Sequence, residues 1–340
     1  MSRTRTMQSD TMRPARWALS LVRYSRNLTA ASRFGAQVAP GPLGAHNWYP
    51  MSRDQASGLV FIPTQNTSYQ YSNPDEFVIQ ETGWNLGLDA QPRVPHNPGE
   101  AERALAMTPS SLLAWDPVQQ REVWRVDYPV FGNSGTLATA GKLVFQGSAD
   151  GVFHAYHSET GAELWSHPVG DAILGGPVTY GLDGQQYVVA LAGQGGAIPM
   201  SMGLLSGNFP RQRNGRLIAF KLGAAEVLPE VERVALTPLD VSGVSSTGSA
   251  ATGSVLYGAY CLVCHGPMGL SAGPVPDLRY SGTILNADTF SSVVVDGLLA
   301  DRGMVGFAAD FGAAEAEDIR AYLLQLAAQT VQSAEATGPR

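Results

Sequence analysis

The sequence predicts a mainly β chain, built as part of a β-propeller, with a small all-α domain behind it. Three observations carry that reading. From roughly residue 34 to residue 223, short β-branched or aromatic runs alternate with Gly, Asn, Asp and Pro turns. Two segments of this stretch repeat each other at a shift of 41 residues. Past residue 223 the composition changes to Pro, Ser, Thr and small residues, and the last periodic pattern is helical.

Taken in order, residues 1–33 hold seven arginines against one acid, Asp10. They read as an unstructured or mis-started leader. The longest apolar run there, Trp17 to Val22, is closed by Arg23 and is shorter than the ~7–15 residues of a secretory signal core. Residues 34–223 form the partial propeller, with "GLVFIPT" (58–64), "GKLVFQGSADG" (141–151), "GVFHAYHSETGAELW" (151–165) and "QQYVVALAG" (185–193) as its clearest strands.

The repeat sets "LLAWDPVQQREVWRV" (112–126) over "FHAYHSETGAELWSH" (153–167), Ala114 over Ala155 and Trp124 over Trp165. A strand–turn–strand unit recurring every ~40–45 residues is what propeller blades give. The Ala belongs where blades approach closely, and the Trp is placed to cap the next turn. A third, shorter copy, "GRLIAFKLG" (215–223), keeps Ala219 in the same place, but no Trp follows. With 65–110 set aside as loop, the stretch has room for three or four blades.

Residues 224–254 read as a linker. The helical domain then spans 255–330, before a tail over 331–340. Its last helix is marked by Ile319, Tyr322, Leu323 and Leu326 on one face, with Glu315, Glu317 and Asp318 near its positive start. Composition excludes two broad classes. A net charge of −7 argues against a phosphate-binding surface, so nucleic acid is not an expected partner. No run of ~18 apolar residues occurs, so no transmembrane helix is predicted.

The chemistry concentrates in "CLVCH", which holds both cysteines of the chain, Cys261 and Cys264, followed directly by His265. A structural zinc site needs four ligands, yet no further Cys exists and the other five histidines all precede the linker. A thioredoxin-like dithiol needs a βαβ setting and no following His. Covalent haem attachment needs two thiols one helical turn apart and an adjacent imidazole beneath the iron, which is this spacing. For the sixth ligand, "DRGMVGF" offers Met304 between Gly303 and Gly306, whereas Met268 stands only three residues from His265, too close to reach the opposite face. Leu262, Val263, Tyr260, Phe290, Phe307 and Tyr322 are the expected apolar wall.

These residues, with "GPMGLSAGPVPDLRYS" and "FSSVVVDGLLADRGMVGFAADFGAAEAEDIRAYLLQL", resemble the C-terminal cytochrome c domain of quinohaemoprotein alcohol dehydrogenases. The stretches 39–63, 111–165 and 214–223 look like the later blades of that family's eight-bladed-type quinoprotein propeller, and the resemblance covers roughly residues 31 to 328. It implies oxidation of a small alcohol by pyrroloquinoline quinone (PQQ), with electrons relayed through haem c to an acceptor protein or quinone, in the periplasm. It places Asn47 and Trp48 at the PQQ pocket. The family's Asp base, its calcium ligands and its cationic residue beside the quinone belong to earlier blades and have no counterpart here, so no catalytic base is assigned and Ca2+ is expected for the family without ligands in this sequence. Two other expectations stand beside this one: an electron-carrying c-type cytochrome with a β-rich docking module, and a gene fragment that does not fold.

Overall fold

A computed structural model describes residues 36–41, 43–67, 69–71, 110–193, 215–230, 236–271 and 275–337, with the isolated positions 76 and 79. The leader therefore lies outside the described residues. In chain order the first strands are β1 (Ala36–Val38), β2 (Ser52–Arg53), β3 (Val60–Gln65) and β4 (Tyr69–Tyr71), with β1 and β4 paired as a short ribbon. β5 (Ser110–Asp116) and β6 (Arg121–Tyr128) join β2 and β3 in a four-stranded antiparallel sheet of order β2-β3-β5-β6. The second sheet is a plain meander of β7 (Asn133–Thr139), β8 (Leu143–Ser148), β9 (Val152–His157) and β10 (Glu163–Pro168). The third holds β11 (Val178–Leu182), β12 (Gln185–Ala192) and β13 (Arg216–Lys221). Among the described residues these are three blade-like sheets, within the three or four for which the stretch has room.

The repeated residues do what their spacing predicts. Phe61, Ala114 and Trp124 lie side by side across the first sheet, and Phe145, Ala155 and Trp165 do the same across the second. Each row is followed by the same irregularity, a bulge that skips Val123 in one sheet and Leu164 in the other. Both alanines are buried, Ala114 fully, because a larger side chain would hold the blades apart. The indole of Trp124 reaches across to the next blade, donating to the Ser158 carbonyl at 3.0 Å. It covers Gly161, which has φ +71° and where a Cβ would stand 2.7 Å from the ring. Phe61, Leu112 and Tyr128 from the first blade meet Val144 and Tyr156 from the second in one buried cluster. Phe153 and Ile173 continue the packing onto Val188, Ala190 and Ile218 of the third blade.

The helical unit is built from α1 (Ala250–Tyr260), α2 (Leu262–His265), α3 (Ala287–Val294) and α4 (Ala313–Thr337). It begins earlier than the 224–254 linker expected from sequence. Ser249 caps α1 by accepting the Thr252 amide at 3.3 Å, and Leu239, Val241 and Val244 pack on the helical core. Small-residue composition hid this start. Those small residues are needed for close approach, since a Cβ at Gly248 or Gly253 would run into the backbone of α4 at Glu317 and Asp318. On α4, Ile319, Leu323 and Leu326 are buried as predicted.

One ion pair locks the linker end to the helices. Arg320, almost wholly buried, donates to the carbonyls of Ile284 (3.0 Å) and Ser245 (2.7 Å) and to both oxygens of Glu317. The Arg320 guanidinium holds the Glu317 carboxyl down to about 2.

Two outcomes are expected. Replacing Gly161 with Val forces a side chain into the Trp124 ring from a left-handed backbone, and a urea melt followed by Trp fluorescence should show a loss of about 2 kcal/mol or more. Because the Glu317 value is depressed on folding, its contribution is complete above an unfolded value near ~4.3 and disappears as pH falls through about 2. Acid melts of the native chain should show that loss of stability below pH ~4.3, and Glu317→Gln should flatten it.

Candidate haem-attachment site

The two thiols are fixed by a single tight turn. Cys261 ends α1 and opens α2, and its carbonyl accepts the amides of Cys264 (3.2 Å) and His265 (2.9 Å). Both cysteines are free, with Cys261 buried and Cys264 exposed. Burial pushes the Cys261 thiol up to about 12, the opposite of the lowered value that a redox nucleophile needs. Among the described residues no group of three or more His, Cys, Asp or Glu side chains stands together as a metal cage.

His265 is buried, and its Nδ1 lies 3.1 Å from the Pro276 carbonyl. A carbonyl only accepts, so Nδ1 carries the proton and Nε2 keeps its lone pair free. Burial lowers the imidazole's proton affinity, which favours the neutral ring. The turn beyond it is held by one hydroxyl: Tyr257 Oη donates to the Gly266 carbonyl (2.5 Å) and accepts the Gly269 amide (3.0 Å). Asp277, next to Pro276, is paired with Arg279 at 2.7 Å.

Met304 follows Gly303, whose φ of +90° closes a short 3-10 turn, and its amide donates to Leu299 at 3.1 Å. Gly306 lets this loop lie against Gly297, where a Cβ would stand 2.8 Å from the Gly297 backbone. Met304 and Met268 both pack against the cluster that contains Cys261. So do Leu262, Tyr260, Phe307 and Tyr322, while Phe290 is part of its buried core. Val263 departs from expectation and is half exposed. Three contributors went unseen in the sequence: Tyr257, Pro276 and Phe311, the last packed edge-on to Tyr260 at 5.1 Å. A Tyr four residues before the first Cys of CxxCH was a usable signal; the other two arrive through tertiary packing. Two free thiols on one turn beside a neutral imidazole with an open Nε2, in an apolar surround, fit a covalently held haem.

Asn47 and Trp48 sit far away in sequence, on a loop tied to β3 by His46 Nδ1 at 2.7 Å from the Pro63 carbonyl and by Gln65 Nε2 donating to Leu43. Asn47 bonds within the loop, accepting the Trp48 amide at 2.9 Å and donating to the Leu43 carbonyl at 3.2 Å. The Trp48 side chain is 68% exposed. A carboxamide and an exposed indole are groups that suit the rim of a planar quinone, and among the described residues no group of three or more His, Cys, Asp or Glu side chains stands beside them.

Comparison with known proteins follows the same division. Residues 108–188 match the glucose/ethanol/alcohol dehydrogenase β-propeller domain, and residues 248–323 match the family described as cytochrome c oxidase, cbb3-type, subunit III. The dehydrogenase subunit of an alcohol dehydrogenase (quinone) from Komagataeibacter europaeus is 37% identical over 86% of this chain and 40% of its own length. The quinohemoprotein alcohol dehydrogenase ADH-IIG of Pseudomonas putida is 38% identical over 85% of the chain and 40% of its length. Its solved structure superposes with a TM-score of 0.78 at 35% identity, covering 88% of this chain and 44% of that one. The chain is a relative of the quinohaemoprotein alcohol dehydrogenases. It spans about two fifths of the length of the curated relatives it matches. A propeller part and a cytochrome part, as in that family, are thus both present.

Tyr257→Phe removes the one hydroxyl that serves Gly266 and Gly269 and leaves two buried backbone groups without it. Denaturant unfolding should register about 1–3 kcal/mol of destabilisation in the helical unit.

Proposed function

We propose that this chain carries the electron-relaying end of a PQQ-dependent alcohol dehydrogenase: later propeller blades over 34–223 and a cytochrome c domain over 255–330. The observation that carries the proposal is the CLVCH turn, with its free thiols and its neutral, buried His265, in a chain whose β part is related to PQQ propellers. Cys261 and Cys264 would hold haem through thioethers, and His265 Nε2 and Met304 would be the side chains offered to its iron. A haem so held would supply one-electron transfer at a raised potential, with an acceptor protein or a quinone to take its electrons.

Asn47 would hydrogen-bond the polar rim of PQQ and Trp48 would lie against its plane. The general base and the calcium ligands would come from blades outside this sequence, so a small alcohol is the substrate of the complete propeller. Covalent haem attachment would suit a periplasmic protein; separately, no helix of the described residues is long and apolar enough to cross a membrane. The rival reading, an electron carrier with a β-rich docking module, shares the haem and differs in whether alcohol is ever the donor.

An absorption spectrum of the chain produced with haem-attachment machinery tests both. Dithionite should bring up the reduced haem bands, and PQQ, calcium and ethanol should do so only when the missing blades are supplied. Ethanol reduction by this chain alone would contradict the absent base, and ethanol reduction that fails even with the blades supplied would favour the carrier reading. Met304→Ala should keep the covalent haem while lowering its reduction potential, and Met268→Ala should leave the potential unchanged.

A further inference from the structure

The glycines that shape the Met304 loop also leave it with few side chains to hold it in place. Gly297, Gly303 and Gly306 all belong to it, and its backbone is tied at two points. The Met304 amide donates to the Leu299 carbonyl at 3.1 Å, and the Phe307 amide donates to the Val294 carbonyl at 2.9 Å. Val305, between the two ties, is 59% exposed, so the middle of the loop faces water. Its C-terminal end is where large side chains begin. The Phe311 amide donates to the Phe307 carbonyl at 3.0 Å, a single turn that brings both rings to one side. They stack at 5.4 Å with 14° between their planes.

Tyr260 completes the group. It is the last residue of α1, directly before Cys261. Its ring stands edge-on to both phenylalanines, at 5.7 Å and 71° to Phe307 and at 5.1 Å and 67° to Phe311. Edge-to-face pairs of this kind are favourable beyond the area they bury. The three rings therefore join the residue before the first thiol to a residue three places after Met304. Both contacts are made by the tyrosine ring, so a phenylalanine in its place keeps them.

We infer that Tyr260 is a positioning residue: clamped on Phe307 and Phe311, its ring holds the Met304 loop against the end of α1 and sets where Met304 stands relative to Cys261 and His265. The inference rests on the haem reading of that turn and goes beyond it. An apolar wall only excludes water, whereas this clamp decides whether Met304 or an outside ligand meets the iron. An outside ligand binds when the loop is open, so its apparent affinity scales with the open fraction. Losing the clamp raises that fraction.

Imidazole is the probe, titrated into the oxidised, haem-loaded full chain and followed by absorbance. Tyr260→Ala should bind it at least tenfold more tightly than the native chain, a difference of about 1.4 kcal/mol. Tyr260→Phe should match the native chain. Leu326→Ala, in the same core but outside the ring trio, should lower stability and leave imidazole affinity unchanged. Where the alanine variant does not fold, Phe307→Leu removes the stacked ring and should give the same tightening. In the native chain, saturating imidazole should speed hydrogen exchange at the Met304 and Phe307 amides. Native imidazole affinity in the ring variants, or equal tightening in Leu326→Ala, overturns the inference. A native chain that carries no haem absorbance overturns the haem reading beneath it, a result visible before any imidazole is added.

Discussion

A buried imidazole beside an apolar core must stay neutral, and in this chain one hydrogen bond decides how it does so. His265 gives its Nδ1 proton to the Pro276 carbonyl, and the site's chemistry depends on the nitrogen this leaves open. The bond also fixes the ring's orientation relative to the two thiols, which the Cys261 carbonyl holds on the same turn. Tyr257 keeps the following turn from drifting, and α4 backs Tyr257 through Tyr322, whose ring lies 5.5 Å away. The long helix is in turn anchored by Arg320 to the end of the linker.

The β part follows a different constraint, the distance at which two twisted sheets can approach. A small residue in the middle of one row and a flat indole at its end let the first blade settle on a glycine turn of the second. Polar groups trapped at this junction are paired across it. Tyr128 donates to Gln146 at 2.9 Å, and Ser158 donates to Asp54 at 2.9 Å. Such pairs cost little once made and a great deal if broken, so they specify which blade follows which.

What could be read from the sequence was what is local in it. The Ala–Trp repeat lay open because its members are ten residues apart within each copy, and CLVCH because the haem chemistry needs a contiguous turn. The helical face of Ile319, Leu323 and Leu326 was equally plain. The start of the helical unit was not, since Gly248 and Gly253 look like linker until their contact with α4 is seen. Pro276 and Phe311 reach the site by tertiary folding, so no spacing announced them. Val263 was expected in the apolar wall for its type alone, and it faces outward because the turn that aligns Cys261 with His265 points it there. The missing Trp after "GRLIAFKLG" accords with β13 being the edge of its sheet among the described residues, a meaning that depended on the register of the other two sheets.

The central claim is that Cys261 and Cys264 hold haem covalently. The intact mass of the chain, matured with haem-attachment machinery and then washed with acidified organic solvent to strip any loosely held haem, tests it most directly. One haem retained by the native chain and none by the Cys261→Ala, Cys264→Ala double variant is the predicted result. Haem extracted from the native chain, or equal retention by both proteins, would contradict it.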